Sequence, residues 1–528
     1  MGLQITFSYR SNCTVSSVQI GRHPNGTFRD MEPVMIAVQI QIRKYALISS
    51  SLDALGMGTY QWGIFFLCGY GYFLDLAWAQ AFSLILGPMT QEFGVSTANS
   101  GQIFTAFSAG LTAGAFVWGV LVDVIGRKWA FNLTTLICSV FGLVIGTADS
   151  WAAVCVLAAC CGFGLGGNIP IDATILLEFV PKNRRALVML LSIFQPLGVV
   201  ACSLLAWALV PPHSCAPSLP SCSASSLAAE LECCTRSSNS GWRNLLFTLG
   251  ALTLACFLLR FGVFRFRESP RFLLSHGKDK EAVAVVHAIF AYNGVPCSLR
   301  LEELEEADNR GGEQLEPQMR GNRVLRTNLK SLFGTRERAR VMLLVCVVYM
   351  FDYWGFSIAG AFLPSILRQK GAMRDVGVYE TYRNYILISL SGLPGVLLGA
   401  ILVDLPLGRK WSMVFTSSLM ATSLFLFVAI DSQLANVLFN ALEYFFQSAF
   451  NAVLYGYAPE LFPTSTRGTA VGLASSLGRL TSILSPLLAS HLLANTGSDA
   501  VLYLAGGGTM ICALAAVGLR ETRGGVMF

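Results

Sequence analysis

Four ionisable residues stand where ionisable residues are costly. Asp75, Asp352, Glu443 and Arg479 each fall near the middle of a stretch of about 20 mostly apolar residues. A charge at that depth is kept only against a partner, water, a proton or a ligand. A carboxylate there can take up and release a proton, which makes Asp75 the candidate for coupling to a proton gradient; the structural alternative is an ion pair with Arg479. An arginine there can hold a ligand carboxylate through two parallel hydrogen bonds, or neutralise Glu443 across a helix bundle. Asp352 sits among Tyr349, Phe351, Tyr353, Trp354 and Phe356, and one polar anchor among rings suits a small organic ligand. Asn168, Gln195 and Gln447 are weaker polar candidates. No cluster of nucleophile, base and metal ligands accompanies these residues, and GxxxxGK[ST] is absent. The sequence therefore points away from an enzyme, a metal site, a cofactor or a nucleoside triphosphate as energy source.

The elements that position these residues are membrane helices. Of 528 residues 54% are hydrophobic and 13% charged, a balance that a water-soluble chain of this size would have to expose as apolar patches. Apolar stretches fall near 62–87, 101–122, 129–147, 151–175, 187–210 and 242–264, then near 341–367, 384–404, 411–430, 434–458, 468–490 and 500–519. Twelve spans in two groups of six predict an all-α membrane protein. The expected divisions are a segment 1–61, a bundle 62–264, a linker 265–340 with short helices, a bundle 341–519 and a tail 520–528. The run GFGLGG at Gly162 to Gly167 has no preceding strand or following lysine and reads as close helix packing or a hinge.

A cluster of charges occurs twice. GVLVDVIGRK and EFVPKNRRA in the first half answer to GAILVDLPLGRK and ELFPTSTRG in the second, with an offset of 281 from Asp123 to Asp404 and 282 from Glu178 to Glu460. Such duplicated halves are how many transporters build a path through a bilayer. Asp123, Arg127, Lys128, Glu178 and Arg185, with Asp172 toward the same end of the fourth span, are expected to form an ion-pair network that holds one face shut. Asp404, Arg409, Lys410, Glu460 and Arg467 are the second set.

Lys and Arg mark the cytoplasmic side. Both GRK turns and the fourteen basic residues of 265–340 fall on one side with both termini, whereas the loops 88–100, 148–150, 431–433 and 491–499 carry none. The loop 368–383, with four, is the exception. The net charge of +6 is a topology signal, with no basic, aromatic patch for nucleic acid. On the opposite side Cys215, Cys222, Cys233 and Cys234 share a Pro/Ser-rich loop and are candidates for one or two disulfides, the pairing open.

The GxxxDxxGRK turn, the ExxPxxxxR ending, RESPRFLL after the sixth span and RETRG after the twelfth resemble the major facilitator superfamily, the last two its sugar porters. GGNIPIDATILLEFVP and ALGMGTYQW are closer to the branch related to synaptic vesicle proteins. The likeness covers roughly residues 50–525. In place of the sugar porters' glutamine-rich seventh span the chain reads YMFDYWGFSIAGAF, which turns the expectation away from sugars. The resemblance implies alternating access by two six-helix bundles, with the first, fourth, seventh and tenth spans lining a central site. It further implies a small organic solute carried with protons by a monomer in the lipid bilayer of the plasma membrane or a vesicle. The other readings are a transport-inactive receptor or vesicle protein and, more narrowly, a uniporter.

Overall fold

The computed structural model describes residues 32–181, 184, 187–216, 219–222, 233–264, 266–309, 330, 332–372, 378–429, 432–462 and 466–521. Ten helices among them are long and apolar enough to cross a membrane. In the first half these are Thr97–Val122, Arg127–Ile145, Trp151–Phe179, Leu191–Leu209 and Gly241–Gly262, the second to sixth spans. In the second half they are Arg336–Leu363, Val378–Val403 and Gly408–Ala429, the seventh to ninth, then Thr469–Asn495 and Ser498–Val517, the eleventh and twelfth. Two more long helices, Thr59–Phe93 and Gln433–Glu460, complete the twelve as the first and tenth spans. They fall short in apolarity because they carry Asp75 and Gln80, and Asn436, Asn440, Glu443, Gln447 and Asn451, the residues that a polar interior requires.

Lipid supplies no hydrophobic drive between helices, so contact depends on shape. The second and fourth spans cross where Gly110 and Gly114 meet Gly162 and Gly166. A Cβ at Gly110 would strike the Ala159 carbonyl, and one at Gly166 the Leu111 carbonyl. The glycine run of the fourth span is thus a packing surface. Trp78, Phe82 and Trp242 of the first half share one buried cluster with Phe427 of the second, and Tyr349 and Phe450 pack in another within the second half, all fully buried.

The two halves are hydrogen-bonded to each other on the side away from the GRK turns. Ser83 donates to the Gly360 carbonyl at 2.6 Å, Tyr382 to Leu84 at 2.7 Å, Thr105 to Ile483 at 3.0 Å and Ser490 to Ala98 at 2.9 Å. On that side Cys215 is bonded to Cys234 and Cys222 to Cys233. Ser221 of the same loop donates to the Glu92 carbonyl at 2.8 Å. Glu92 closes the first span by accepting from Arg243 at 2.7 and 2.9 Å and from Trp242 at 2.8 Å.

On the GRK side a helix, Glu32–Leu55, precedes the first span and packs on three linker helices, Pro270–Ser275, Asp279–Tyr292 and Leu301–Asn309. Lys44 pairs with Asp279 at 2.5 Å, and Arg271 donates to Ser49 at 2.9 Å. Asn293 accepts from the Tyr60 backbone N–H at 3.0 Å, which ties this layer to the start of the first span.

Candidate functional site

A cavity of about 170 Å³ lies between the halves. Asp75 and Gln80 of the first span, Gln195 of the fifth, Asp352 of the seventh, Glu443 of the tenth and Arg479 of the eleventh all line it. The four ionisable residues singled out by depth in the sequence therefore converge on one space, one from the first half and three from the second. Gln447 stands behind Asp352 and donates to its Oδ1 at 2.8 Å. Arg479 reaches back to the first half and donates to the Leu111 carbonyl at 3.4 Å. No ion pair joins Arg479 to Asp75 or to Glu443 among the described residues, so neither pairing expected for this arginine is formed. Of the rings expected around Asp352, Tyr353 and Phe356 line the cavity, while Tyr349 is fully buried in the second half's core.

Rings that the sequence reading passed over complete the wall: Phe104 and Phe107 from the second span, Tyr385 from the eighth, and Tyr444 and Tyr455 from the tenth. Their signal is faint in sequence, because aromatic residues in apolar spans are as common in packing as in binding. Asn168 is 1% exposed, does not line the cavity, and has both side-chain polar atoms without hydrogen-bond partners.

The duplicated charges build the same device twice. Gly126, at φ 97°, and Gly408, at φ 72°, turn the chain into the third and ninth spans through a backbone region that favours glycine. The first N–H groups of each new helix have no partner within it. Glu268, from RESPR, accepts those of Arg127 and Lys128 at 2.9 and 3.2 Å. Glu521, from RETRG, accepts those of Arg409 and Lys410 at 3.1 and 3.0 Å. Each carboxylate also faces the positive end of a helix dipole. The arginine side chains then turn to the fourth and tenth spans: Arg127 Nε lies 3.5 Å from Glu178, and Arg409 Nε 2.7 Å from Glu460. The extra residue in the second turn leaves this pattern intact. Arg185 and the side chains of Asp123, Asp404 and Arg467 lie outside the described residues.

Asp172 departs from the expected grouping. It is fully buried and faces Arg260 of the sixth span, Oδ2 to Nη2, at 3.8 Å. Arg260 donates to the Leu67 carbonyl at 2.7 Å, Thr135 at 2.7 Å and the Phe131 carbonyl at 3.1 Å, with its guanidinium 3.7 Å over the Phe131 ring. A Cβ at Gly71 would collide with both members of the pair. The pair belongs to the interior of the first half, because a carboxylate enclosed by helices turns to the nearest buried cation.

Residues 57–525 match the model of the sugar (and other) transporter family. The chain is 37% identical over 474 residues to the MFS siderochrome iron transporter 1 of Ceriporiopsis subvermispora, covering 88% of this chain and 87% of that one. It is 25% identical over 488 residues to the synaptic vesicle 2-related protein of Xenopus laevis, covering 89% and 79%. The fold is that of the inward-open xylose transporter XylE from E. coli, with a TM-score of 0.62 over 88% of this chain and 97% of that one at 15% identity. The duplicated turns, the twelve spans and the central cavity are thus those of a multi-pass membrane transporter, and the chain belongs to the sugar (and other) transporter family of the major facilitator superfamily.

Proposed function

We propose that the protein is a proton-coupled secondary transporter of a small organic solute, working by alternating access. One observation carries the reading: a cavity between two related halves is lined by ionisable groups from both of them. The bundles 62–264 and 341–519 rock about that cavity, joined by the cytoplasmic linker 265–340, with both termini in the cytoplasm, a placement supported by the bias of Lys and Arg among the loops. Hydrogen bonds between the halves hold them together on the side away from the GRK turns.

Asp75 is the proton carrier. It lines the cavity, has no hydrogen-bond or ion-pair partner among the described residues, and lies close enough to Arg479 to feel its charge. A solute that displaces or recruits Arg479 would change how strongly Asp75 holds its proton, which is the coupling a symporter or antiporter requires. To the cytoplasmic gate we assign the two Arg–Glu pairs, each made within one half, and their Glu268 and Glu521 caps, with Asp123, Arg185, Asp404 and Arg467 added from the repeat. The test is uptake into proteoliposomes of sugars, carboxylates, organic cations and phosphate, each with and without a pH gradient. Gradient-dependent accumulation of one class is expected. Ligand binding without accumulation would instead support a transport-inactive sensor.

A further inference from the structure

The cavity is acidic and aromatic. It presents three carboxylates, Asp75, Asp352 and Glu443, against the single guanidinium of Arg479. When two or more of these carboxyl groups are ionised, an anionic solute meets a surplus of like charge, which is costly unless each repulsion is offset. A polyhydroxylated solute would find amides at Gln80, Gln195 and Asn451 and hydroxyls at Ser108, Ser357 and Ser482, but it would leave the charge of the carboxyl groups unanswered.

The three carboxylates are not equivalent. Asp352 is engaged by Gln447 at 2.8 Å, and Asp75 stands within electrostatic reach of Arg479. Glu443 is 5% exposed, lines the cavity, and has neither a hydrogen-bond nor an ion-pair partner among the described residues. A carboxyl group enclosed to that degree without a partner is expensive to keep. Tyr385 of the eighth span and Tyr444, next to Glu443 in the tenth, line the same cavity as Glu443. The faces of such rings attract a cation, most strongly where water is excluded.

We infer that the transported solute is a small organic cation, its positive nitrogen seated between the Glu443 carboxylate and the rings of Tyr385 and Tyr444. The inference rests on the reading of this cavity as the transport site. It assigns Glu443 to recognition and leaves proton movement to Asp75. A quaternary ammonium suits the place well, because its methyl groups pack on rings while its charge needs no directed hydrogen bond.

The experiment titrates the purified full-length protein with choline, benzyltrimethylammonium, 3,3-dimethylbutan-1-ol, benzoate and glucose, and follows the unfolding temperature. The alcohol has the shape of choline with carbon in place of the charged nitrogen. Both cations are expected to raise the unfolding temperature saturably, while the alcohol, benzoate and glucose leave it unchanged. Glu443→Gln should weaken cation binding about tenfold or more, the scale of losing one charge-assisted contact, and Glu443→Asp should restore part of it. If Glu443→Gln does not fold, Tyr444→Leu is measured in its place and should weaken benzyltrimethylammonium more than it weakens the alcohol. No response to either cation overturns the inference, as does an equal response to the alcohol, or unchanged cation affinity in a folded Glu443→Gln protein. Binding is read without transport, so cation binding with no uptake would sink the transporter reading and leave the ligand class standing.

Discussion

Asp172 and Arg260 face each other at 3.8 Å with both side chains wholly out of contact with solvent. Breaking such a pair from one side is costly because the other charge is left uncompensated, whereas removing both charges is far milder. Arg260→Met should therefore lower stability by about 3–5 kcal/mol, and the double change Asp172→Leu with Arg260→Met should recover most of it. Unfolding in detergent, followed by intrinsic fluorescence, measures both. Equal losses in the single and double variants would show that the pair contributes nothing as a pair. Gly71→Ala should resemble the single variant, since its methyl group would occupy the space of both charged groups.

The proposed cytoplasmic gate gives a directional prediction. Glu178→Gln removes the ion-pair partner of Arg127. If the pair contributes about 1 kcal/mol more to the state shut toward the cytoplasm, its loss corresponds to about a fivefold shift toward the open state. A cysteine placed at Ser357, on the cavity wall, should then react correspondingly faster with a maleimide supplied from the cytoplasmic side. An unchanged rate would assign Glu178 to topology alone.

Tyr382→Phe should act in the opposite sense. It deletes a hydrogen bond of 2.7 Å to the Leu84 carbonyl that joins the halves on the far side. The loss of about 1 kcal/mol should raise labelling of the same cysteine from the exterior and lower it from the cytoplasm. If both variants move labelling in the same direction, the two surfaces do not work as alternating closures.

Asp75→Asn tests proton coupling. Accumulation driven by a pH gradient should vanish, while exchange of labelled for unlabelled solute across the membrane persists, because exchange requires the cavity to switch sides without net proton movement. Accumulation at the wild-type level would remove Asp75 from the coupling role.

The spans, their grouping and the duplicated turns are legible in the sequence because each rests on a local pattern: a run of apolar residues, or a motif at a span end. Convergence of Asp75, Asp352, Glu443 and Arg479 is legible for a related reason, since a lipid-facing position would be too costly for any of them. Arg260 is harder to read. It lies in the last turns of the sixth span, where an arginine in sequence looks like a flanking residue able to reach the surface, and only the helix packing shows that it is enclosed. Asp172 shares the fourth span with Glu178, and their separation of six residues is too short to assign them to different networks without knowing what each face meets. RESPR and RETRG announce themselves as motifs, but the task of Glu268 and Glu521 depends on backbone N–H groups 141 and 112 residues away. Tyr385 and Tyr444 are ordinary aromatic residues until the cavity is seen between them.

The modest apolarity of the first and tenth spans bears on how the chain is made. Segments enter the bilayer from the translocon according to their transfer free energy, in which an Asp near the centre of a helix costs about 2.5–3.5 kcal/mol. The first span, burdened with Asp75 and Gln80, emerges ahead of the other eleven and has the least help from them. Its entry is expected to await the strongly apolar second span, so that the two insert as a hairpin. The tenth, with Glu443 and its amides, emerges directly after the ninth and before the eleventh, and draws on both. The polar lining that serves a solute in the finished protein thus sets the order in which nascent helices can leave water.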